Sequence, residues 1–155
     1  MIQRIQTVYL LAAAALMTLT LFMPLATYYG QGSEFVLNGM EVVNTTNPDA
    51  AETVFQPVYL TVLLAISALL PLVVIFLYKR RFLQARLCFT ETVLLLGSQG
   101  FIAYYVYHLY KSFDVVSWKF GIPSVFPLVA LVFVILAIRG IVRDDRLVKS
   151  LNRIR

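Results

Sequence analysis

The chain has 155 residues, of which 60% are apolar and only 14% charged, and its mean hydropathy is +0.80. Soluble domains run near ~45–50% apolar and ~25% charged, because a core must be covered by a water-facing surface. The composition therefore excludes an ordinary soluble domain, and the length excludes a large soluble catalytic domain hung on an anchor.

The charges fall in blocks. None lies between Arg4 and Glu34, between Glu52 and Lys79, or between Lys119 and Arg139, and the stretch from Arg86 to Lys111 holds only Glu91. A membrane span needs about 20 mostly apolar residues at ~1.5 Å of rise each. The four runs predict transmembrane helices over 8–28, 57–78, 87–110 and 122–138. They lack the alternation of a membrane β-barrel, and helices satisfy their own backbone hydrogen bonds in lipid. The first run follows a short basic start but has no small-x-small cleavage site, so it is expected to stay as a span rather than leave as a signal peptide.

Eleven of the thirteen Lys and Arg residues fall at the N-terminus, in the link between spans two and three, or in the tail. The first external loop, 29–56, carries Glu34, Glu41, Asp49 and Glu52 instead, and the second only Lys111 and Lys119. The positive-inside rule then predicts that both termini are cytoplasmic. The net charge of +5 follows from this topology and is no signal for nucleic acid.

Within the first external loop, Phe35-Val36-Leu37 and Met40 to Val43 flank Asn38-Gly39, a strong hairpin signal. A two-stranded hairpin is expected, leaning on helix ends or on a partner. Asn44-Thr45-Thr46 is formally a glycosylation acceptor, meaningful only in a eukaryotic secretory setting. Tyr28, Tyr29, Tyr59, Tyr104, Tyr105, Tyr107, Tyr110, Phe113 and Trp118 all fall near the expected outer interface. An anchoring belt is the ordinary account of them. Tyr104, Tyr105 and Tyr107 point in several directions on one helix, which leaves a lined external pocket as the alternative. Pro57 and Pro123 sit near helix starts, where a missing N–H costs little. Pro71 and Pro127 lie inside spans and are expected to kink them.

Equipment for chemistry is sparse. The single Cys88 excludes an internal disulfide and a C-x-x-C pair, the single His108 excludes an H-E-x-x-H site, and no Gly-rich phosphate loop or G-x-S-x-G is present. No enzymatic activity, cofactor or metal is expected. Glu91 is the exception to a dry interior: at heptad spacing it shares a face with Ser98 and Tyr105, with Gln99 beside Ser98. An intramembrane acid on a polar stripe is a candidate proton or cation site. The competing account places it in the first turns of its helix, where the macrodipole favours an anion and Arg86 or Arg81 curls back to pair with it. Gly97, Gly100 and Ala103 form a small-residue strip suited to close helix packing.

In the tail, Leu147, Val148, Leu151 and Ile154 recur at helical spacing while Arg143, Arg146, Lys149 and Arg153 occupy other faces. That pattern predicts a short basic amphipathic helix on the anionic inner leaflet. The expected fold class is thus all-α: a single membrane domain of four transmembrane helices over 1–155, with a small external β-hairpin between helices 1 and 2 and a C-terminal amphipathic helix over 139–155.

Three segments carry a family resemblance. The opening Met1-Ile2-Gln3-Arg4-Ile5-Gln6-Thr7-Val8-Tyr9-Leu10, the link Arg81-Phe82-Leu83-Gln84-Ala85-Arg86-Leu87-Cys88 and the closing Asp144-Asp145-Arg146-Leu147-Val148-Lys149-Ser150-Leu151-Asn152-Arg153-Ile154-Arg155 together resemble a four-span inner-membrane family of the Bacteroidota, a domain of unknown function. The resemblance implies a bacterial cytoplasmic membrane and brings no activity with it.

Two functions follow as expectations. One is a non-enzymatic accessory or scaffold protein that docks a membrane-protein partner or lipid through Arg81, Gln84, Arg86, Arg143, Arg146, Lys149 and Arg153. The other is a small oligomeric transporter or channel using Glu91, Ser98, Gln99 and Tyr105. The partners expected are the lipid bilayer and an unlike membrane protein or further copies of the chain, with no nucleic acid.

Overall fold

The structure, a computed structural model, describes residues 5–30, 32–46, 52–77, 80–112 and 115–152, without the side chains of Arg81 and of 144–152. Four helices are long and apolar enough to cross a membrane. They are α1 (Ile5–Phe22), α2 (Val58–Phe76), α3 (Arg81–Ser112) and α4 (Phe126–Asn152), the last preceded by a 3-10 turn over Ile122–Val125. Between them lie five strands: β1 (Pro24–Gly30), β2 (Glu34–Asn38), β3 (Val42–Asn44), β4 (Glu52–Phe55) and β5 (Val115–Phe120). The strands form one antiparallel sheet in the order β4-β3-β2-β1-β5.

The expectation of an all-α protein with one hairpin is therefore corrected. The hairpin exists as β2–β3, but it is the middle of a five-stranded sheet that draws β1 from the predicted first span and β5 from the second external loop. The physical reason for the miss is that 8–28 reads as one apolar run. Pro24 breaks it, since proline offers no N–H and pushes the residue before it out of the helical region. The helix closes with the Met23 N–H on the Leu19 carbonyl, and the chain enters β1 at Pro24.

The hairpin turn also differs. Leu37 pairs with Val42 and the Asn38 N–H meets the Glu41 carbonyl, so Gly39 and Met40 are the central residues. Gly39 does not use a positive φ; among described residues only Gly32 does, at 83°. Gly39 is required for a different reason. A Cβ there would lie 2.8 Å from the Cα and the carbonyl oxygen of Leu21 at the end of α1. Thr61 in the first turn of α2 directs its hydroxyl to the Gly39 carbonyl at 2.9 Å, so the hairpin tip is wedged between two helix ends.

Helix packing follows a narrow stripe. Apart from Ala14 on α1 and Ala68 on α2, which widen it, the buried positions are Leu10, Ala13, Met17 and Thr20 on α1, and Leu60, Leu64, Ser67, Pro71 and Val74 on α2. On α4 they are Pro127, Ala130, Val134, Ala137 and Ile141. All repeat at alternating spacings of three and four, the period of a left-handed bundle. Each helix packs on its sequence neighbours and α1 also packs on α4, closing the ring. Tyr9 of α1 stacks on Phe133 of α4, and farther from the sheet Gly140 gives way to Gln6. Strand junctions join the α1 end, the α2 start, the α3 end and the α4 start, so the sheet caps one end of the bundle. The described ends of the chain and the α2–α3 link share the other end.

The tail also departs from expectation. Residues 139–152 continue α4 without a break instead of forming a separate amphipathic element.

The sheet is held down at two points. Tyr28, fully buried, donates its hydroxyl to the Val106 carbonyl of α3 at 3.1 Å. The Leu25 carbonyl accepts the Gly121 N–H at 2.9 Å and the Ser124 hydroxyl, which ties β1 to the entrance of α4. At Gly121 a Cβ would lie 2.1 Å from the Pro24 carbonyl oxygen. We therefore expect Gly121→Ala to cost about 1–3 kcal/mol through overpacking, whereas Gly100→Ala, whose Cβ would meet nothing within 4 Å, is neutral or stabilising. Thermal melts in detergent, followed by the fluorescence of the single Trp118, check both.

Burial also pushes the Tyr28 phenol above its ordinary value near 10. The folded state thus holds the neutral phenol, a contribution fully present below pH 10 and lost as pH rises beyond it. Tyr28→Phe should cost about 0.5–1.5 kcal/mol at neutral pH for the lost hydrogen bond. It should also flatten part of the alkaline fall in stability, read as the difference between the two pH–melting curves.

Candidate functional site

The inward stripe of α3 runs through Gln84, Cys88, Glu91, Leu95, Ser98, Ile102, Tyr105 and Leu109 in four–three alternation, with Val106 buried beside it. Spacing alone brings them to one face, and packing against α2 and α4 buries that face. The stripe is polar where its neighbours are apolar. Ser98 satisfies itself by donating to the Leu95 carbonyl at 2.9 Å, and Gln84 donates its Nε2 to the Val74 carbonyl of α2 at 3.2 Å. Glu91 is 1% exposed, and neither carboxyl oxygen has a hydrogen-bond partner.

The depth of Glu91 differs from the expectation of a first-turn acid. Because α3 begins at Arg81, Glu91 is its eleventh residue, about 15 Å along the axis at helical rise. At that distance the terminal dipole no longer acts, because its effect falls off within the first turn. The expected ion pair with Arg86 is absent too: Arg86 is exposed, with its guanidinium 4.4 Å above the Phe82 ring. The described charges of the other three helices lie outside the level of Glu91. Helices α1 and α2 have none, and Arg139 and Arg143 of α4 are exposed towards the end opposite the sheet.

Two tie points fix the register of α3 against α2. A Cβ on Gly97 would lie 3.8 Å from Leu63, and Gln84 reaches Val74. In an antiparallel pair, Glu91 between them lies level with the turn that contains Ser67 and Ala68. Ser67 is fully buried and its hydroxyl oxygen also lacks a partner. Four residues on, Pro71 offers no N–H to the Ser67 carbonyl. The level of Glu91 therefore concentrates oxygen atoms that the helices leave unused. Sequence reasoning did not single out Ser67. Its signal was a hydroxyl on the buried stripe of α2, four residues before a proline.

The other predicted residues divide. Tyr105 lies near the sheet end of the stripe, one turn before Leu109, with its ring 6.2 Å from Phe55 of β4. Gln99 is half-buried beside Ser98, with its Oε1 unpartnered. Gln84 is a buried cross-link between helices and does not belong to an exposed docking surface. Arg86 and Arg143 are exposed at the end opposite the sheet. Arg81, Arg146 and Lys149 lie on α3 and α4 with side chains outside the description, and Arg153 lies outside the described residues. The small-residue strip separates as well: Gly97 meets Leu63, whereas Gly100 and Ala103 face outward.

A buried carboxyl with no partner costs about 1–3 kcal/mol. Replacing Glu91 by leucine, which fits the stripe, should therefore raise the melting point; a lower one would mean that the carboxyl holds the bundle together.

A comparison with curated proteins gave no match. The family model described as Domain of unknown function (DUF4293) matches residues 2–154. With a stripe-packed helix bundle, a capping sheet and nearly its whole length matched, the chain belongs to the DUF4293 family.

Proposed function

We propose that the protein is a non-enzymatic accessory or scaffold protein of the bacterial inner membrane, with both termini cytoplasmic, that docks a partner through the basic residues at its terminal end. The observation that supports this is the length of α4. Its apolar span ends at Arg143, yet the helix runs on to Asn152, which adds about 13 Å at helical rise. Along that extension the sequence sets Arg143, Arg146 and Lys149 three residues apart. A basic segment that continues the helix of a packed bundle is the kind of element a docking partner requires. Anionic headgroups contribute about 1 kcal/mol per basic residue near the surface, and a partner protein adds the specificity.

A second reading rests on Glu91. An intramembrane carboxyl without a protein partner is the equipment of a proton or cation pathway. The two readings separate by mutation. In nanodiscs prepared from the native host, Arg143→Glu combined with Arg146→Glu and Lys149→Glu should strip a stoichiometric unlike partner from the purified protein, as read by mass spectrometry. Glu91→Gln should leave that partner in place. Recovery of the wild type alone, with a flux across reconstituted vesicles that Glu91→Gln abolishes, would favour transport.

A further inference from the structure

In the sheet Leu37, Val42, Ala26 and Tyr28 are fully buried, whereas Phe55 on the edge strand β4 is 48% exposed. Beneath Phe55 lies a cleft of about 640 Å³, walled by Tyr59 of α2 and by Phe101, Tyr104 and Tyr105 of α3, with His108 and Ser112 towards the sheet. Ligand sites of roughly 300–1,000 Å³ with apolar walls and a few polar groups hold small molecules.

Three observations indicate what this cleft holds. From Phe101 to Ser112 the wall rises about 16 Å at helical pitch, half of a ~30 Å hydrocarbon core, so the cleft runs the depth of one leaflet. Its polarity changes along that axis. The lower part is aromatic, whereas the upper part has His108, with Ser112 donating to the His108 carbonyl at 2.9 Å and Lys111 exposed on the same last turn. Among the described lining residues there is no carboxylate.

The third observation is Gly100. Glycine inside a helix costs about 1 kcal/mol relative to alanine, and here the space beside it is open, with no atom within 4 Å of where a Cβ would lie. It sits exposed one turn below Tyr104, beside the lining residues rather than among them. The glycine therefore serves no helix packing, but it leaves room for an acyl chain.

We propose that the cleft binds one anionic phospholipid of the leaflet on the sheet side. The lipid enters sideways between α2 and α3, lays an acyl chain along Gly100, Phe101 and Tyr104, and sets its phosphate at His108, Lys111 and Ser112. Tyr105 closes the inner wall, its ring 5.5 Å from Tyr104 and 6.5 Å from Phe101. The sheet edge roofs the site and excludes water from the chain.

The test is native mass spectrometry of the intact protein released from nanodiscs that contain phosphatidylglycerol or phosphatidylcholine, with melting points measured in parallel. The wild type should retain one phosphatidylglycerol and melt higher with it. Gly100→Leu, which adds a bulky side chain beside Tyr104 where the acyl chain is proposed to run, should lose that lipid while Gly100→Ala keeps it. His108→Ala with Lys111→Ala should lower the preference for phosphatidylglycerol over phosphatidylcholine about tenfold, or ~1.4 kcal/mol of headgroup attraction. Equal retention of the two lipids by the wild type overturns the proposal. So does retention unaffected by Gly100→Leu in a variant that melts like the wild type, retention of a free fatty acid in place of a phospholipid, or occupation of the cleft by a second copy of the chain.

Discussion

Helices in lipid gain nothing by hiding leucine from hydrocarbon, because the solvent is as apolar as the side chain. What holds this bundle is close packing along a narrow stripe with three–four spacing on each helix, and the rest of the structure depends on that stripe. It sets the order of the ring, and it makes α3 present Gln84, Glu91, Ser98 and Tyr105 to the interior. Large apolar residues elsewhere on the helices, such as Leu11, Leu69, Phe89 and Val132, remain exposed. That is the expected surface for a protein solvated by acyl chains.

The sheet answers a different constraint, since a two-stranded hairpin is marginal alone in water. The fold recruits β1 and β5 from the segments that enter and leave helices, so the sheet is anchored by continuous chain at both sides. Leu25 is the junction: its carbonyl gathers the Gly121 N–H and the Ser124 hydroxyl. The glycines at 39 and 121 are there because backbone passes within contact distance, a condition that no side chain satisfies. At the β4 edge of the sheet the aromatic cleft opens, with Phe55 among its lining residues.

The two polar features of α3 lie on different faces and call for different chemistry. Glu91 faces inward at the level of Ser67, where the helices leave oxygens unused. His108 faces the cleft, where a headgroup would lie. Tyr105 and Leu109 belong both to the buried stripe and to the wall of the cleft.

Much of this was legible in the sequence. Charge-free runs gave four apolar helices, and the heptad spacing of Glu91, Ser98 and Tyr105 put them on one face because helical period is a local property. The hairpin was legible for the same reason. Pro24 also carried its message, that a helix must stop there, but an apolar strand after an apolar helix has no compositional edge. Tertiary structure alone decided the pairing of β1 with β5, since those residues are some 90 positions apart and loop closure leaves no local trace. It also decided that Arg86 turns to Phe82 rather than Glu91, and that Ser67 shares the level of that acid. Periodicity fixes which face a residue occupies; only the packing of one helix against another fixes what that face meets.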